Sequence, residues 1–187
     1  MSTETTLRHN RSKKDFPFLS LEPDEYVALS ISRSKYGLIL IWFAEIVGFL
    51  ALTLVLIILD SPATLAPAGF ASPVSLIRPV IFALYFVLIL TGLIGTKVYL
   101  SNKLYITNRR AIQISSNALF HESTNIIELS RIEDVSFTNS GLFDAIFHIG
   151  TIRMSTVGDE TTYTFPFVDT PRDEIDLITH LVHENKK

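Results

Sequence analysis

Two long stretches of this chain show no hydrophobic–polar alternation, and the rest is organised around them. Gly37–Leu59 reads GLILIWFAEIVGFLALTLVLIIL, 23 residues with one charged side chain. At 1.5 Å rise per residue this length crosses a hydrocarbon layer of about 30 Å. The second stretch runs from about Leu76 to Leu100, LIRPVIFALYFVLILTGLIGTKVYL, with Arg78 and Lys97 near its ends. Helices apolar on every face have no side to offer water, and the roughly 90 residues that follow are too few to wrap two of them. Both read as transmembrane helices. A cleaved signal has an apolar run of about 7–15 residues behind a basic leader; here the run is longer and five acids precede it.

After Leu100 the period changes to alternation punctuated by turn residues. Strands are expected at 103–107, 110–115, 118–121, 125–129, 134–138, 150–156 and 161–167. Asn108-Arg109 makes the first turn, with Asn108 expected at positive φ, and 157–160 (VGDE) makes a hairpin. Residues 141–147 (GLFDAIF) are apolar without alternation and read as a helical or looped plug. The last segment, 171–184, carries helix-start signals in Thr170, Pro171, Asp173 and Glu174. Ile175, Ile178, Leu181 and Val182 then form one apolar stripe.

Charge orients the chain. Arg8, Arg11, Lys13, Lys14, Arg33 and Lys35 precede the first span, and Lys97, Lys103, Arg109 and Arg110 end or follow the second. The connecting loop, 60–75, has no basic residue. Short basic flanks stay in the cytoplasm, so both termini are expected there, in a multi-pass protein of the cell inner (plasma) membrane. Residues 98–187 hold eight basic and twelve acidic residues. That balance argues against nucleic acid, whose binders present a basic stripe. With no cysteine, disulfide and thiolate chemistry are excluded. No catalytic motif is present, His180 and His183 read as an exposed helix end, and neither cofactor nor metal is expected.

Glu45 lies about 12 Å inside the first span, where a carboxylate is costly and should face protein. Thr91, Thr96 and Lys97 on the second helix are its expected polar contacts. Ala44 and Gly48, with Gly92 and Thr96, supply the small-residue spacing of close helix approach. Lys103, Arg109, Arg110 and Arg131 are candidates for contact with anionic lipid. Trp42, Tyr36, Tyr85 and Tyr99 are candidate aromatic anchors. The basic run 8–14 lies in a tail expected to be disordered and reads as topogenic charge in solvent or as a contact with anionic lipid, and Phe16–Leu21 reads as an apolar patch that packs on the domain or enters the interface.

Four segments bear a family resemblance. Leu104–Ile112 (LYITNRRAI) resembles the "YxxTNRRxI" opening of the bacterial pleckstrin-homology-like (PH-like, second bacterial type) membrane protein family. Ile127–Val135 (IELSRIEDV) is similar to its "IPLSRIxDV" segment, and 141–156 to its "GLLGRLFGYGTIxIxT" stretch. Leu21–Val27 (LEPDEYV) resembles the "LxPGEEV" lead-in before the first helix. Asp144-Ala145 and His148-Ile149 depart from the family pattern. The resemblance implies a PH-like barrel closed by a C-terminal helix, and no activity.

The expected fold is therefore an α+β membrane protein: a two-helix transmembrane hairpin, then a PH-like barrel of about seven strands capped by a C-terminal helix. Residues 1–35 form a cytoplasmic tail with a short lead-in, 36–100 the hairpin, and 101–187 the cytoplasmic domain. The expected function is a non-catalytic, membrane-anchored interaction module that binds a membrane protein partner or self-assembles into a homo-oligomer, amid membrane lipids. The alternatives are an anionic-lipid or envelope-stress sensor, and a transporter or membrane-enzyme subunit using Glu45.

Overall fold

The computed structural model describes residues 3–59, 74–139, 146–156, 162–169 and 171–186. These fall into two compact units, Gly37–Val98 and Met1–Tyr36 with Tyr99–Lys187. The elements are α1 (Thr3–Asp15), β1 (Val27–Ser32), α2 (Gly37–Leu59), α3 (Val74–Ser101), β2 (Lys103–Thr107), β3 (Arg110–Ala118), β4 (His121–Glu128), a 3-10 turn (Leu129–Arg131), β5 (Ile132–Thr138), β6 (Ile149–Thr156), β7 (Thr162–Asp169) and α4 (Pro171–Asn185).

The helical unit is an antiparallel pair held by small residues and a few polar contacts. Gly48 lets the Leu88 side chain approach, and Gly92 does the same for Glu45. Ala44 is exposed. Thr53 Oγ1 and Tyr85 Oη share a hydrogen bond of 2.8 Å. Both helices are long and apolar enough to cross a membrane, and most of their apolar side chains are exposed.

The other unit consists of two antiparallel sheets, ordered β1-β2-β3-β4 and β5-β6-β7. Among the described residues no strand pairing joins them, so the expected closed barrel gives way to two sheets around one core. Leu104, Ile106, Ile127, Ile132, Ile152, Met154 and Phe165 fill that core. From α4 come Ile178, Leu181 and Val182, with Ile175 packed against them, the stripe expected from the sequence. The opposite face of the first sheet is also covered. Tyr105 and Ile112 bury against Leu19, with Phe16 and Leu21 alongside, so the Phe16–Leu21 segment packs on the domain. Period-2 alternation puts Leu104 and Ile106 on one face of β2 and Tyr105 on the other.

Three expectations need correction. Residues 8–14, expected in a disordered tail, lie in the helix α1, Thr3–Asp15, most of whose side chains are exposed. Residues 118–121 are not a separate strand: β3 runs on to Ala118, pairs with His121, and closes a hairpin. The seventh strand is instead β1, which pairs antiparallel with β2 in the register Ser30↔Tyr105, Ile31↔Leu104 and Ser32↔Lys103. The helical hairpin is thus inserted between the first and second strands of the sheet domain. The VGDE hairpin at 157–160, Thr170, and most of the 141–147 plug lie outside the described residues.

At Gly150 on β6, a Cβ would strike the ring of Phe137 and come within 2.6 Å of Asn139 Oδ1. Gly150→Ala therefore overpacks the second sheet, and thermal unfolding in detergent should show a loss of about 1–3 kcal/mol.

Candidate functional site

The lead-in and the β2–β3 turn meet at one buried carboxylate. Glu25 is fully buried, a costly position for a charge unless it is paired and hydrogen-bonded. It accepts from Arg110 Nε and Nη2, each at 2.8 Å, from Thr107 Oγ1 at 2.7 Å and from the Glu22 amide at 2.8 Å. Burial alone would raise the Glu25 pKa. Arg110, the Glu22 amide and Thr107 together outweigh it and hold the carboxyl below its ordinary value. The same pair raises the Arg110 pKa. Asn108 completes the joint: its Oδ1 accepts the Tyr26 amide at 3.0 Å and its Nδ2 donates to the Asp24 carbonyl at 3.2 Å. Asn108 is not at positive φ as expected; Asp24 is, at 67°. The LEPDEYV and TNRR segments are two halves of one contact.

This joint decides what the basic candidates can do. Arg110 is committed to Glu25, its side chain only 18% exposed. Arg109 is exposed and pairs with Glu22 at 3.3 Å. Arg131 is exposed in the 3-10 turn, beside a cleft of about 210 Å³ lined also by Ile126, Ile127, Glu128, Thr156 and Tyr163. Lys103 is exposed at the start of β2, opposite Ser32 and Ile114. The chain leaves for α2 after Ser32 and returns from α3 at Lys103. Arg109 and Arg110 lie at the other end of the five-residue β2, roughly 16 Å away. The four residues do not form one patch.

Where the chain leaves and re-enters the sheet domain, a second cluster forms that the sequence did not single out. Tyr99 Oη donates to the Ser34 carbonyl at 2.7 Å, and the Ser34 amide donates to the Phe167 carbonyl at 2.5 Å. Phe167 sits at φ 61°, an uncommon conformation for an aromatic residue, at an irregularity in the β6–β7 pairing. Asn102 Oδ1 accepts the Ser116 amide at 3.2 Å and its Nδ2 donates to the Ser116 carbonyl at 3.2 Å. Arg33 lies over the rings of Tyr99 at 5.5 Å and Phe165 at 6.0 Å, and burial lowers its pKa. The Tyr36 ring is tilted by 34° against that of Phe147, with ring centres 4.9 Å apart. Tyr99 is therefore a structural tie, only 7% exposed.

Within the helical unit, Thr91 Oγ1 donates to Glu45 Oε1 at 3.1 Å. Glu45 Oε2 and Thr96 Oγ1 are buried and have no hydrogen-bond partner among the described residues. Lys97 is exposed on the last turns of α3. Among the described residues there is no group of three or more metal-ligating side chains. His180 and Glu184, 3.9 Å apart, are exposed, and the His183 ring contacts the Thr179 carbonyl.

The model of the bacterial PH domain family matches residues 37–181, which span both apolar helices and every strand but β1. None of the curated proteins matches. Among solved structures, a DUF1696 family protein with a pleckstrin-homology domain from Shewanella loihica PV-4 is similar at 14% identity and a TM-score of 0.34. The match covers 46% of this chain and 71% of that one.

Arg110→Met leaves the Glu25 charge buried and unpaired, which should cost about 3–5 kcal/mol at neutral pH. In the parent the lowered Glu25 pKa supplies stability that is complete above the ordinary carboxylate range and is lost as pH falls through the folded-state value. In the variant burial raises that pKa, so protonation relieves it. Urea unfolding at pH 7 and pH 4.5 should show the gap between the two proteins narrowing on acidification.

Proposed function

We propose that this chain, which belongs to the bacterial PH domain family, is a membrane-anchored, non-catalytic interaction module. PH-like families serve generally as binding domains rather than enzymes. The observation that carries the reading is connectivity. Two helices with no polar face interrupt the first sheet between adjacent, paired strands, so the domain is tied to its anchor at two neighbouring strand ends. In water those helices would expose Phe43, Leu50, Ile57, Phe82 and Phe86, each more than 60% accessible. A bilayer removes that cost. The basic flanks of the hairpin support a cytoplasmic location for both termini.

Such tethering confines the domain to a surface, which raises its effective concentration toward any partner in the same membrane. The partner site we favour is the outer edge of β4. That edge has no strand paired to it among the described residues, and an open edge is a template for an added strand. Ile126 on β4 is 56% exposed and borders the cleft that ends at Arg131 and Tyr163. The partner is a membrane protein or a second copy of this chain. A use of Glu45 in transport or catalysis is the second reading, favoured by an Oε2 that has no hydrogen-bond partner among the described residues.

Two outcomes follow. The protein should stay with the membrane through alkaline carbonate extraction, and crosslinking in that membrane should give a complex heavier than the 21.0 kDa chain. Ile126→Glu should abolish the complex with less than about 0.5 kcal/mol change in stability, as for an exposed position. A lone chain of 21.0 kDa, or a complex indifferent to that substitution, contradicts the reading. If Glu45→Gln leaves the complex intact but removes an activity, the second reading replaces it.

A further inference from the structure

Among the described residues, the most exposed large apolar side chain of the sheet domain is at the tip of the β3–β4 hairpin. Phe120 is 96% accessible, and Leu119 beside it 37%. Both lie in the turn between Ala118 and His121, which face each other across the hairpin. Neither side chain contributes to either core cluster. A Phe left in water needs no explanation by itself. Its position does.

β2 begins at Lys103, opposite Ile114, while β3 continues to Ala118. Asn102, the residue between α3 and β2, is bonded on both sides to Ser116. The hairpin therefore overhangs the point where α3 hands the chain to β2 by three or four residues, about 10 Å at roughly 3.3 Å per residue. The same end of the domain carries Ser32, from which four residues lead to α2. Tyr36 and Ile146 are exposed there too, at 45% and 68%, joined through the Tyr36–Phe147 ring contact. Lys35 and Lys103, both exposed, add positive charge. An apolar tip that shares its end of the domain with exposed aromatic and basic residues, beside the exposed Glu122, matches a bilayer interface, where rings sit at headgroup level and cations meet phosphates.

We infer that the β3–β4 tip is a lipid-contact site, with Phe120 and Leu119 entering the headgroup–acyl boundary of the membrane that α2 and α3 cross. This deepens the anchored reading and rests on it. The tip acts as a third point of attachment after the two strand–helix connections.

The absence of cysteine makes the test direct. Single thiols are introduced into the full chain by Phe120→Cys, Ser130→Cys and Leu54→Cys. Each is labelled with an environment-sensitive fluorophore, and the protein is reconstituted in phosphatidylcholine–phosphatidylglycerol vesicles. A quencher on the lipid acyl chain and a quencher in water are compared. The expected result is at least a threefold greater response to the lipid quencher at position 120 than at 130, approaching that at 54. If position 54 responds and position 120 behaves like 130, the tip does not touch lipid and the inference falls alone. Shielding of position 120 from both quenchers means a protein covers the tip and also overturns it. If position 54 responds only to the aqueous quencher, the anchored reading fails and the inference with it.

Discussion

The pairing of β1 with β2 is the contact on which the rest of the structure depends. Residues 27–32 and 103–107 are separated by the whole apolar hairpin, yet they form adjacent antiparallel strands. Closing so long an insertion costs conformational entropy, though only as the logarithm of its length. Once Ser32 and Lys103 are opposed, Ile31, Leu104 and Ile106 enter the shared core and the outer face of β2 becomes available to the Phe16–Leu21 segment.

Side-chain chemistry reinforces that pairing at both ends. At one end the Glu25–Arg110 pair, with Thr107 and Asn108, clamps the lead-in to the β2–β3 turn. At the other, Ser34, Tyr99 and Phe167 fasten the strand ends to β7. The free edge of β1 is not left open either: Ser12 Oγ accepts the Val27 amide at 3.0 Å, so α1 supplies an edge partner. The N-terminal 36 residues are thus part of the sheet domain. Among the described residues the outer edge of β4, like those of β5 and β7, has no strand paired to it.

Much of this was legible in the residues, for identifiable reasons. The two apolar helices declare themselves by length, and α4 by its stripe at Ile175, Ile178, Leu181 and Val182. The β2–β3 hairpin is marked by alternation around Asn108. What escaped was non-local. VALSIS at 27–32 has no strand-like neighbour in sequence, because its partner comes after the hairpin. Ala118–His121 carries a short apolar run like that of a strand, and the pairing of Ala118 with His121 and the exposure of Phe120 identify it as a tip. Glu25 and Arg110 stand 85 positions apart, and no periodicity links them. Arg110 therefore reads as a free surface cation when it is an internal counter-ion.

The central claim, that the apolar hairpin is an insertion between paired strands, can be tested in the membrane with two thiols. Ser32→Cys and Lys103→Cys place them on opposed residues, where an antiparallel pair holds its Cα atoms about 4.5–5.5 Å apart, within the span of a disulfide. Mild oxidation of native membranes should consume both thiols in an intramolecular bond, visible as a reducible mobility shift absent from a Ser32→Cys, Glu128→Cys control. Two thiols that remain free, or a link equally efficient in the control, would contradict the account.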